Sequence, residues 1–170
     1  MAKFSEAQFE QAIVELIQDN GYDYVNGDML HRKFDEVLLE DDMKSFLSRR
    51  YPDITKTELE KIINKIKYVP NTPLYMGNRE AFYLVNEGFN LQRDDSSKGA
   101  LHIEYIDFET PENNIFKVVN QFTVRNIQER RPDMLIFING IPVVIFEFKS
   151  AINENTTIYD AWKQINIRYN

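Results

Sequence analysis

Apolar residues recur every three or four positions in the first part of the chain, which is the spacing of one face of a helix. The first such stretch predicts a helix between Ser5, which can form a capping box with Gln8, and the stop signal Asn20–Gly21. Three more helices are predicted before residue 90, so this part of the chain is predicted to be mainly helical. They begin near Glu40, at Thr55 or Thr57, and near residue 78.

The apolar pattern changes to that of strands after residue 100, and a closing helix begins near Thr157. Four segments are dense in β-branched and aromatic residues: 101–108, 115–124, 134–138 and 143–149. Asn139–Gly140 between the last two indicates a hairpin, and the almost continuous apolar character of these two segments favours central strands covered on both faces.

These elements predict an α/β chain of the α+β type, with a mixed, largely antiparallel sheet flanked by helices. The length of 170 residues suggests one domain. It would have a helical portion at about residues 1–90 and a sheet-bearing core at about residues 100–170.

Charged residues interrupt the last two apolar segments. Asp133 lies at the start of one, and Glu147 and Lys149 lie two positions apart in the other, so that both face the same side of a strand. Burial of an unpaired charge is strongly unfavourable, so these side chains need partners or a metal ion. Phe146 and Phe148 face the opposite side and anchor the strand in the core.

The register of the hairpin decides whether Asp133 can join Glu147. A two-residue turn at Asn139–Gly140 would place Pro132 opposite Glu147 and Asp133 on the wrong face. A three-residue loop would place Asp133 opposite Ile145, one diagonal step from Glu147, a Cα separation of roughly 7 to 8 Å that a cation can bridge. We predict this second register, or another of the same parity.

The side chains at this point predict a magnesium site. The carboxylates of Asp133 and Glu147, with the main-chain carbonyl of Phe148, would supply the oxygen ligands that Mg²⁺ prefers. Lys149 would orient or activate the attacking water and offset charge in a phosphorane-like transition state. The alternative is a salt bridge at the end of a strand.

The amino-acid composition limits the kinds of site that the chain can contain and the cellular compartment in which we expect it. The chain has 12 Phe and 9 Tyr as core material and no Cys, which excludes disulfides, thiolate nucleophiles and cysteine zinc sites. No apolar run approaches the roughly 18 to 20 residues of a membrane helix, and the N-terminus lacks the apolar stretch of a signal peptide. We therefore expect no membrane association and a cytoplasmic location.

The net charge of −7 argues against binding to nucleic acid. However, residues 121–170 carry six basic and five acidic residues, a net charge of +1, so the acidity belongs to residues 1–120. The later segment can therefore contact phosphate, unless its arginines are only solvated or paired with Glu129. The candidates for phosphate contact are Arg125, Arg130 and Arg131.

Pro132–Asp133 with Glu147–Phe148–Lys149 matches the Pro-Asp…(Asp/Glu)-x-Lys motif of the PD-(D/E)xK nucleases. Over nearly its whole length, the sequence also resembles the N-terminal endonuclease domain of the R (HsdR) subunit of type I restriction enzymes. The segments that carry this wider resemblance are 34–39, 78–88, 119–122, 130–133, 138–142 and 160–165.

The resemblance implies a restriction-endonuclease-like core and Mg²⁺-dependent cleavage of double-stranded DNA, with Mn²⁺ as a possible substitute. It also implies that this domain precedes two translocase domains of a longer subunit, and that it works with methyltransferase (M) and specificity (S) subunits. The chain has no Gly-x-x-x-x-Gly-Lys-(Ser/Thr) loop, so ATP would act only through domains absent from this chain.

The family also suggests supporting residues. Its members often carry an acidic residue in the first helix near the metal; Glu10 is our choice here and Glu6 the alternative. A family Gln-x-x-x-Tyr motif matches Gln164, which is expected to support the active site or contact DNA. The Tyr position of that motif holds Arg168, and Tyr169 comes one residue late, which on a regular helix rotates it by about 100°.

Two other functions remain open from the sequence. The chain could be a non-catalytic docking module of the same subunit, in which the helical portion binds other domains. It could also be a free-standing PD-(D/E)xK repair nuclease.

Overall fold

The structure is a computed structural model that describes residues 6–69, 73–125, 128–148 and 158–168, and these residues form five α-helices and eight short strands. Helices dominate the first part and strands the second, which confirms the predicted α+β class. The helices are α1 (Glu6–Asp19), α2 (Glu40–Arg50), α3 (Lys56–Lys67), α4 (Leu74–Glu87) and α5 (Ile158–Arg168). The strands are β1 (Asp23–Asn26), β2 (Phe89–Leu91), β3 (Leu101–Ile103), β4 (Phe116–Asn120), β5 (Val124–Arg125), β6 (Glu129–Arg130), β7 (Met134–Ile138) and β8 (Ile141–Phe146).

The chain forms two compact units. One unit, which we call the sheet unit, consists of Met1–Val37 and Phe116–Asn170, and the other, the helical unit, consists of Leu38–Ile115. Helix α1 thus belongs with the sheet, whereas β2 and β3 belong with α2, α3 and α4. The helical and sheet portions that follow one another in the sequence therefore do not coincide with the units in space.

A four-stranded mixed sheet forms the centre of the sheet unit, with the strand order β1-β4-β7-β8. Strand β1 runs parallel to β4, and the other pairs are antiparallel, as the sequence predicts. Helix α1 covers one face because Val14 is buried against Val118, Met134 and Phe148. The helical spacing of Ile13 and Ile17 brings them to the same cluster.

The hairpin between β7 and β8 has a two-residue turn, so the predicted three-residue loop is wrong. Asn139 (φ 50°) and Gly140 (φ 80°) both adopt the left-handed conformation that such a turn requires. The predicted parity is nevertheless present, because a bulge follows the turn. Phe137 pairs with Pro142 but Ile136 pairs with Val144, which leaves Val143 as the extra residue.

Strand β8 does not lie in the centre of the sheet. Among the residues described, it forms one end of the strand order, and Val143 and Val144 are 40% and 42% exposed. The prediction of a strand covered on both faces is therefore wrong for β8. Phe146 of this strand packs in the cluster beneath α1. The two exposed valines lie at the bulge and just after it.

The predicted strand at residues 101–108 is only three residues long, Leu101–Ile103. Asp107 is buried after it and fixes a loop, since its carboxylate accepts a 2.9 Å hydrogen bond from Asn113 Nδ2 and pairs with Arg50. The hydrogen bond from Asn113 and the guanidinium of Arg50 hold the pKa of Asp107 below its ordinary value. Apolar residues here are buried by a loop rather than by strand pairing.

Helix α3 in the helical unit begins with a complete capping box. Thr55 Oγ1 accepts a 3.1 Å hydrogen bond from the Glu58 amide, and Glu58 Oε2 accepts a 2.8 Å hydrogen bond from the Thr55 amide. Of the two candidates in the sequence, Thr55 is therefore the cap and Thr57 is not. Within the described ranges, no helix has the length and apolar character needed to cross a membrane.

Candidate functional site

The register of the β7–β8 hairpin brings the two predicted metal-binding residues, Asp133 and Glu147, to the same end of this hairpin. The last ladder pair is Met134 with Phe146, and one further step in this register places Asp133 opposite Glu147. The Phe148 amide donates a 2.6 Å hydrogen bond to Asp133 Oδ2, which fixes the carboxylate across the two chain segments. The bulge at Val143 therefore achieves what we expected from a longer loop.

Phe148 holds this end of the hairpin against α1. Its ring is buried, packs edge-on against Phe9 at 5.4 Å between centroids, and stacks on Phe146 at 6.0 Å. These contacts confirm that the two phenylalanines face the core. They also fix the backbone at Phe148. From this position the Phe148 amide reaches Asp133, and the Phe148 carbonyl would serve as a metal ligand.

Glu10 of α1 lies at the same end of the sheet, held by amides of β4. Asn120 Nδ2 donates a 2.9 Å hydrogen bond to Glu10 Oε1, and Gln121 Nε2 lies 3.4 Å from both carboxylate oxygens. Tyr24 of β1 donates a 3.1 Å hydrogen bond to Asn120 Oδ1 and so orients that amide. The backbone amide of Gln121 donates to the carbonyl of Asp133 at 2.9 Å, which links Glu10 to the hairpin.

Tyr24, Asn120 and Gln121 are functional candidates that the sequence did not reveal. The sequence feature that could have indicated them is the pair of amides, Asn120 and Gln121, which interrupts the apolar segment 115–124. A strand would point Asn120 and Gln121 to opposite faces. The left-handed conformation of Gln121 (φ 54°) breaks this alternation and brings both amides to one carboxylate.

Several predicted site residues lie outside the described part of the structure. Lys149 and Tyr169 fall between or beyond the described ranges. Gln164 belongs to α5 and Glu6 begins α1, but the side chains of both lie outside the description. Their roles stay predictions.

The donor set fits a hard cation. Asp133, Glu147 and the carbonyl of Phe148 offer oxygen atoms only, which suits Mg²⁺ better than a soft metal. Over the described residues, no three His, Asp or Glu side chains are grouped closely enough to hold a metal together.

The three candidate phosphate-binding arginines lie on or next to the β5–β6 ribbon, and each has an acidic or polar neighbour. Arg125 Nε donates a 2.9 Å hydrogen bond to Glu129, which is the pairing we considered as the alternative. Arg131 pairs with Asp28 at 3.2 Å, and Arg130 contacts Gln128. Exposed pairs of this kind contribute little to stability, so a phosphate could displace these partners.

Comparison with known proteins gives the family. A family model described as the type I restriction enzyme R protein N terminus matches residues 3–170. A protein named as the type I restriction enzyme MjaIXP endonuclease subunit of Methanocaldococcus jannaschii is 30% identical over 164 residues, which are 90% of this chain and 16% of that protein.

Two further relatives agree. The type I restriction enzyme HindI endonuclease subunit of Haemophilus influenzae is 23% identical over 171 residues, covering 94% of this chain and 16% of that protein. The type I restriction enzyme SsaAORF53P endonuclease subunit of Staphylococcus saprophyticus is 27% identical over 171 residues, covering 97% of this chain and 16% of that protein. The chain thus spans about a sixth of the length of these relatives. Because the family model matches almost all of its residues, the chain belongs to the family of the type I restriction enzyme R protein N terminus.

Proposed function

We propose that this chain is the Mg²⁺-dependent endonuclease domain of a type I restriction–modification complex and cleaves double-stranded DNA. The observation that carries the proposal is the Asp133 carboxylate, which is fixed at the end of the β7–β8 hairpin where the register also leads to Glu147. Asp133 stands opposite Glu147 in the extended register, and the Phe148 amide holds it there. The printed names of the relatives, which are endonuclease subunits, support this choice of chemistry.

Each residue of the site has a role in hydrolysis of a phosphodiester. When bound, Mg²⁺ supplies positive charge at the phosphate and makes water more acidic. Asp133, Glu147 and the carbonyl of Phe148 hold the cation, and the ammonium of Lys149 orients the attacking water and offsets negative charge as the phosphate is attacked. Gln164 supports the site, and Arg125, Arg130 and Arg131 neutralise flanking phosphates.

The same proposal places the chain in a larger assembly. The relatives are about six times as long, so translocase domains in the same subunit would use ATP and move the DNA. Methyltransferase and specificity subunits would recognise the target sequence, and the complex would act in the cytoplasm. Mn²⁺ would replace Mg²⁺ because it accepts the same oxygen ligands.

The test is cleavage by the assembled complex with single substitutions at the site. Asp133→Asn, Glu147→Gln and Lys149→Ala should each abolish cleavage while ATP-driven translocation continues, because only the metal site is altered. Asp35→Asn, an exposed position in the same unit, is the matched control and should cleave normally. Cleavage that persists in any of the three variants would remove that residue from the site.

A second candidate function, docking without catalysis, is favoured by the surface of α4. Tyr75 and Phe82 are 73% and 62% exposed on this helix, which is unusual for large aromatic side chains. Titration of the complex with Mn²⁺ in a nicking assay distinguishes the two candidates. Absence of nicking at every Mn²⁺ concentration, in a complex that still assembles and translocates, would favour the docking function.

A further inference from the structure

We propose that Asn120 and Gln121 are positioning residues, which hold the carboxylate of Glu10 so that it orients water at the metal site of Asp133 and Glu147. This proposal rests on the proposed function, because it needs a cation at that site. It assigns a role to two amides of segment 119–122, which carries part of the family resemblance but for which the sequence suggested no function.

Side-chain amides surround the carboxylate of Glu10 with hydrogen-bond donors. Oε1 accepts from Asn120 Nδ2 at 2.9 Å, and the amide of Gln121 stands 3.4 Å from both oxygens. Asn120 is itself oriented by the Tyr24 hydroxyl, which occupies its Oδ1 atom and so turns its Nδ2 toward Glu10. The direction of the Glu10 carboxylate is thus set by three side chains, those of Tyr24 in β1, Asn120 in β4 and Gln121 just after β4.

The backbone of Gln121 is strained. A left-handed φ of 54° in a residue other than glycine is unfavourable and persists only where the surroundings enforce it. Here the Gln121 amide donates to the carbonyl of Asp133 at 2.9 Å, so the same residue ties the metal-binding strand to the Glu10 carboxylate. Unusual backbone at a residue that joins two acidic groups indicates a functional constraint.

The chain just after β1 closely approaches the end of β4. A Cβ atom on Gly27 would lie 2.6 Å from the carbonyl oxygen of Gln121 and 2.9 Å from that of Asn120. Both neighbours are backbone atoms and cannot rotate away. The absence of a side chain at Gly27 therefore allows the turn that presents the two amides to Glu10.

Glu10 would act through water rather than as a ligand. Its carboxylate is already held in place by the side-chain amides of Asn120 and Gln121. Mg²⁺ in proteins usually keeps several water molecules, and a fixed carboxylate beside them accepts their hydrogen bonds. Residues that orient such contacts commonly change metal affinity by about 10-fold to 100-fold when they are replaced.

The experiment measures Mn²⁺ affinity of the whole 170-residue chain by electron paramagnetic resonance titration, together with thermal unfolding. Asn120→Ala and Gln121→Met should each weaken Mn²⁺ binding by about tenfold. Asn86→Ala, which removes an exposed amide from the helical unit, should leave Mn²⁺ affinity unchanged. Unchanged affinity in both Asn120→Ala and Gln121→Met would overturn the proposal.

A polarity swap separates positioning from a purely structural role. Asn120→Asp alone sets two carboxylates against each other and should lower both the unfolding midpoint and Mn²⁺ affinity. Adding Glu10→Gln restores a hydrogen bond with its polarity reversed, so the unfolding midpoint should recover while Mn²⁺ affinity stays low. Recovery of both would show that only the hydrogen bond matters and would overturn the proposal.

Asp133→Asn distinguishes failure of this inference from failure of the proposed function. In one outcome, Asp133→Asn abolishes Mn²⁺ binding while the Asn120 and Gln121 variants bind normally. That result would support the metal site at Asp133 and show that the positioning role of Asn120 and Gln121 is wrong. If Asp133→Asn binds Mn²⁺ as tightly as the unaltered chain, the metal site itself is wrong and this inference falls with it.

Discussion

Glu58 shows how a single buried carboxylate can be kept ionised. Its Oε1 accepts hydrogen bonds of 2.9 Å from Arg93 Nε and from the Asp94 amide, and its Oε2 accepts from the Thr55 amide at 2.8 Å. The hydrogen bond from the guanidinium of Arg93 is the largest influence, and together these donors lower the pKa of Glu58 to about 2. Each donor favours the charged form over the protonated form.

This pKa predicts how stability depends on pH. The Glu58 carboxyl titrates near 4.5 in the unfolded chain and near 2 in the folded protein. Its contribution to stability is therefore complete above about pH 4.5 and is lost as the pH falls toward 2. In urea unfolding experiments, Glu58→Gln should be less stable at neutral pH, since Arg93 loses its buried ionic partner and keeps only the more exposed Asp53. The variant should also lose less further stability over this pH window.

Glu60→Gln is the matched control for that experiment, because Glu60 is exposed on the same helix. It should follow the pH profile of the unaltered chain. A Glu58→Gln profile parallel to that of the unaltered chain between pH 4.5 and 2 would contradict the assignment.

Individual residues of the candidate site differ in how far the sequence reveals them. Asp133 and Glu147 are conspicuous because charge is rare in apolar strands, and the motif spacing adds to that signal. Asn120 and Gln121 are not, because their approach to Glu10 depends on a positive φ and on the nearness of another strand. Those are properties of the fold, and no residue type in the pattern encodes them.

At the scale of elements, the β7–β8 hairpin depends on one extra residue. Without a bulge, the two-residue turn at Asn139–Gly140 would set Pro132 against Glu147. Val143 takes up one position, so that Asp133 meets Glu147 instead. The Asn-Gly pair correctly predicted a hairpin, but neither its two-residue turn nor the bulge was predicted. The position of a bulge is decided by how both strands pack within the sheet.

This geometry predicts that deletion of Val143 is tolerated. A one-residue deletion in a strand normally moves every later side chain to the opposite face. Here it removes only the unpaired residue, and Ile136 can keep its pairing with Val144. Circular dichroism should show a folded chain, and Mn²⁺ affinity should be unchanged.

Deletion of Ile136 is the control for the opposite strand. Strand β7 pairs continuously with β4, so there is no extra residue to absorb the loss, and both stability and Mn²⁺ affinity should fall. Loss of Mn²⁺ binding in a folded chain that lacks Val143 would contradict this prediction. It would show that the bulge is needed for metal binding as well as for the register of the hairpin.

Other elements were overestimated in length for a related reason. Apolar residues at 101–108 have the composition of a strand, but pairing stops at Ile103. Tyr105 is buried instead, and its hydroxyl donates a 2.7 Å hydrogen bond to the carbonyl of Ile62. Burial was predicted correctly from composition, but the element that provides it depends on tertiary contacts.

At the scale of the whole molecule, both units are acidic. The sheet unit has ten basic and thirteen acidic residues, a net charge of −3, and the helical unit has ten basic and fourteen acidic residues, a net charge of −4. The arginines that are candidates for phosphate contact therefore lie in a unit with an excess of carboxylates, which repel phosphate. A divalent cation at Asp133 and Glu147 would reverse that repulsion locally.

We therefore expect the chain to bind duplex DNA weakly in EDTA and more tightly when Ca²⁺ is present, since Ca²⁺ accepts the same oxygen ligands. Fluorescence anisotropy at constant ionic strength should show this increase. In Asp133→Asn, binding in EDTA should improve, because a repulsive charge is gone, and the gain from Ca²⁺ should shrink. A weakening of DNA binding by Ca²⁺ would argue that the cation only screens the arginines.

Gly27 carries a consequence for anyone who engineers or randomises this protein. It has no side chain to take part in chemistry, yet any replacement would press against backbone oxygens at the end of β4. A mutational scan scored on cleavage would therefore mark position 27 as intolerant, alongside the acidic residues of the site. A survey based only on side-chain chemistry would overlook it, so intolerance there is best interpreted as a spacing requirement between two strands.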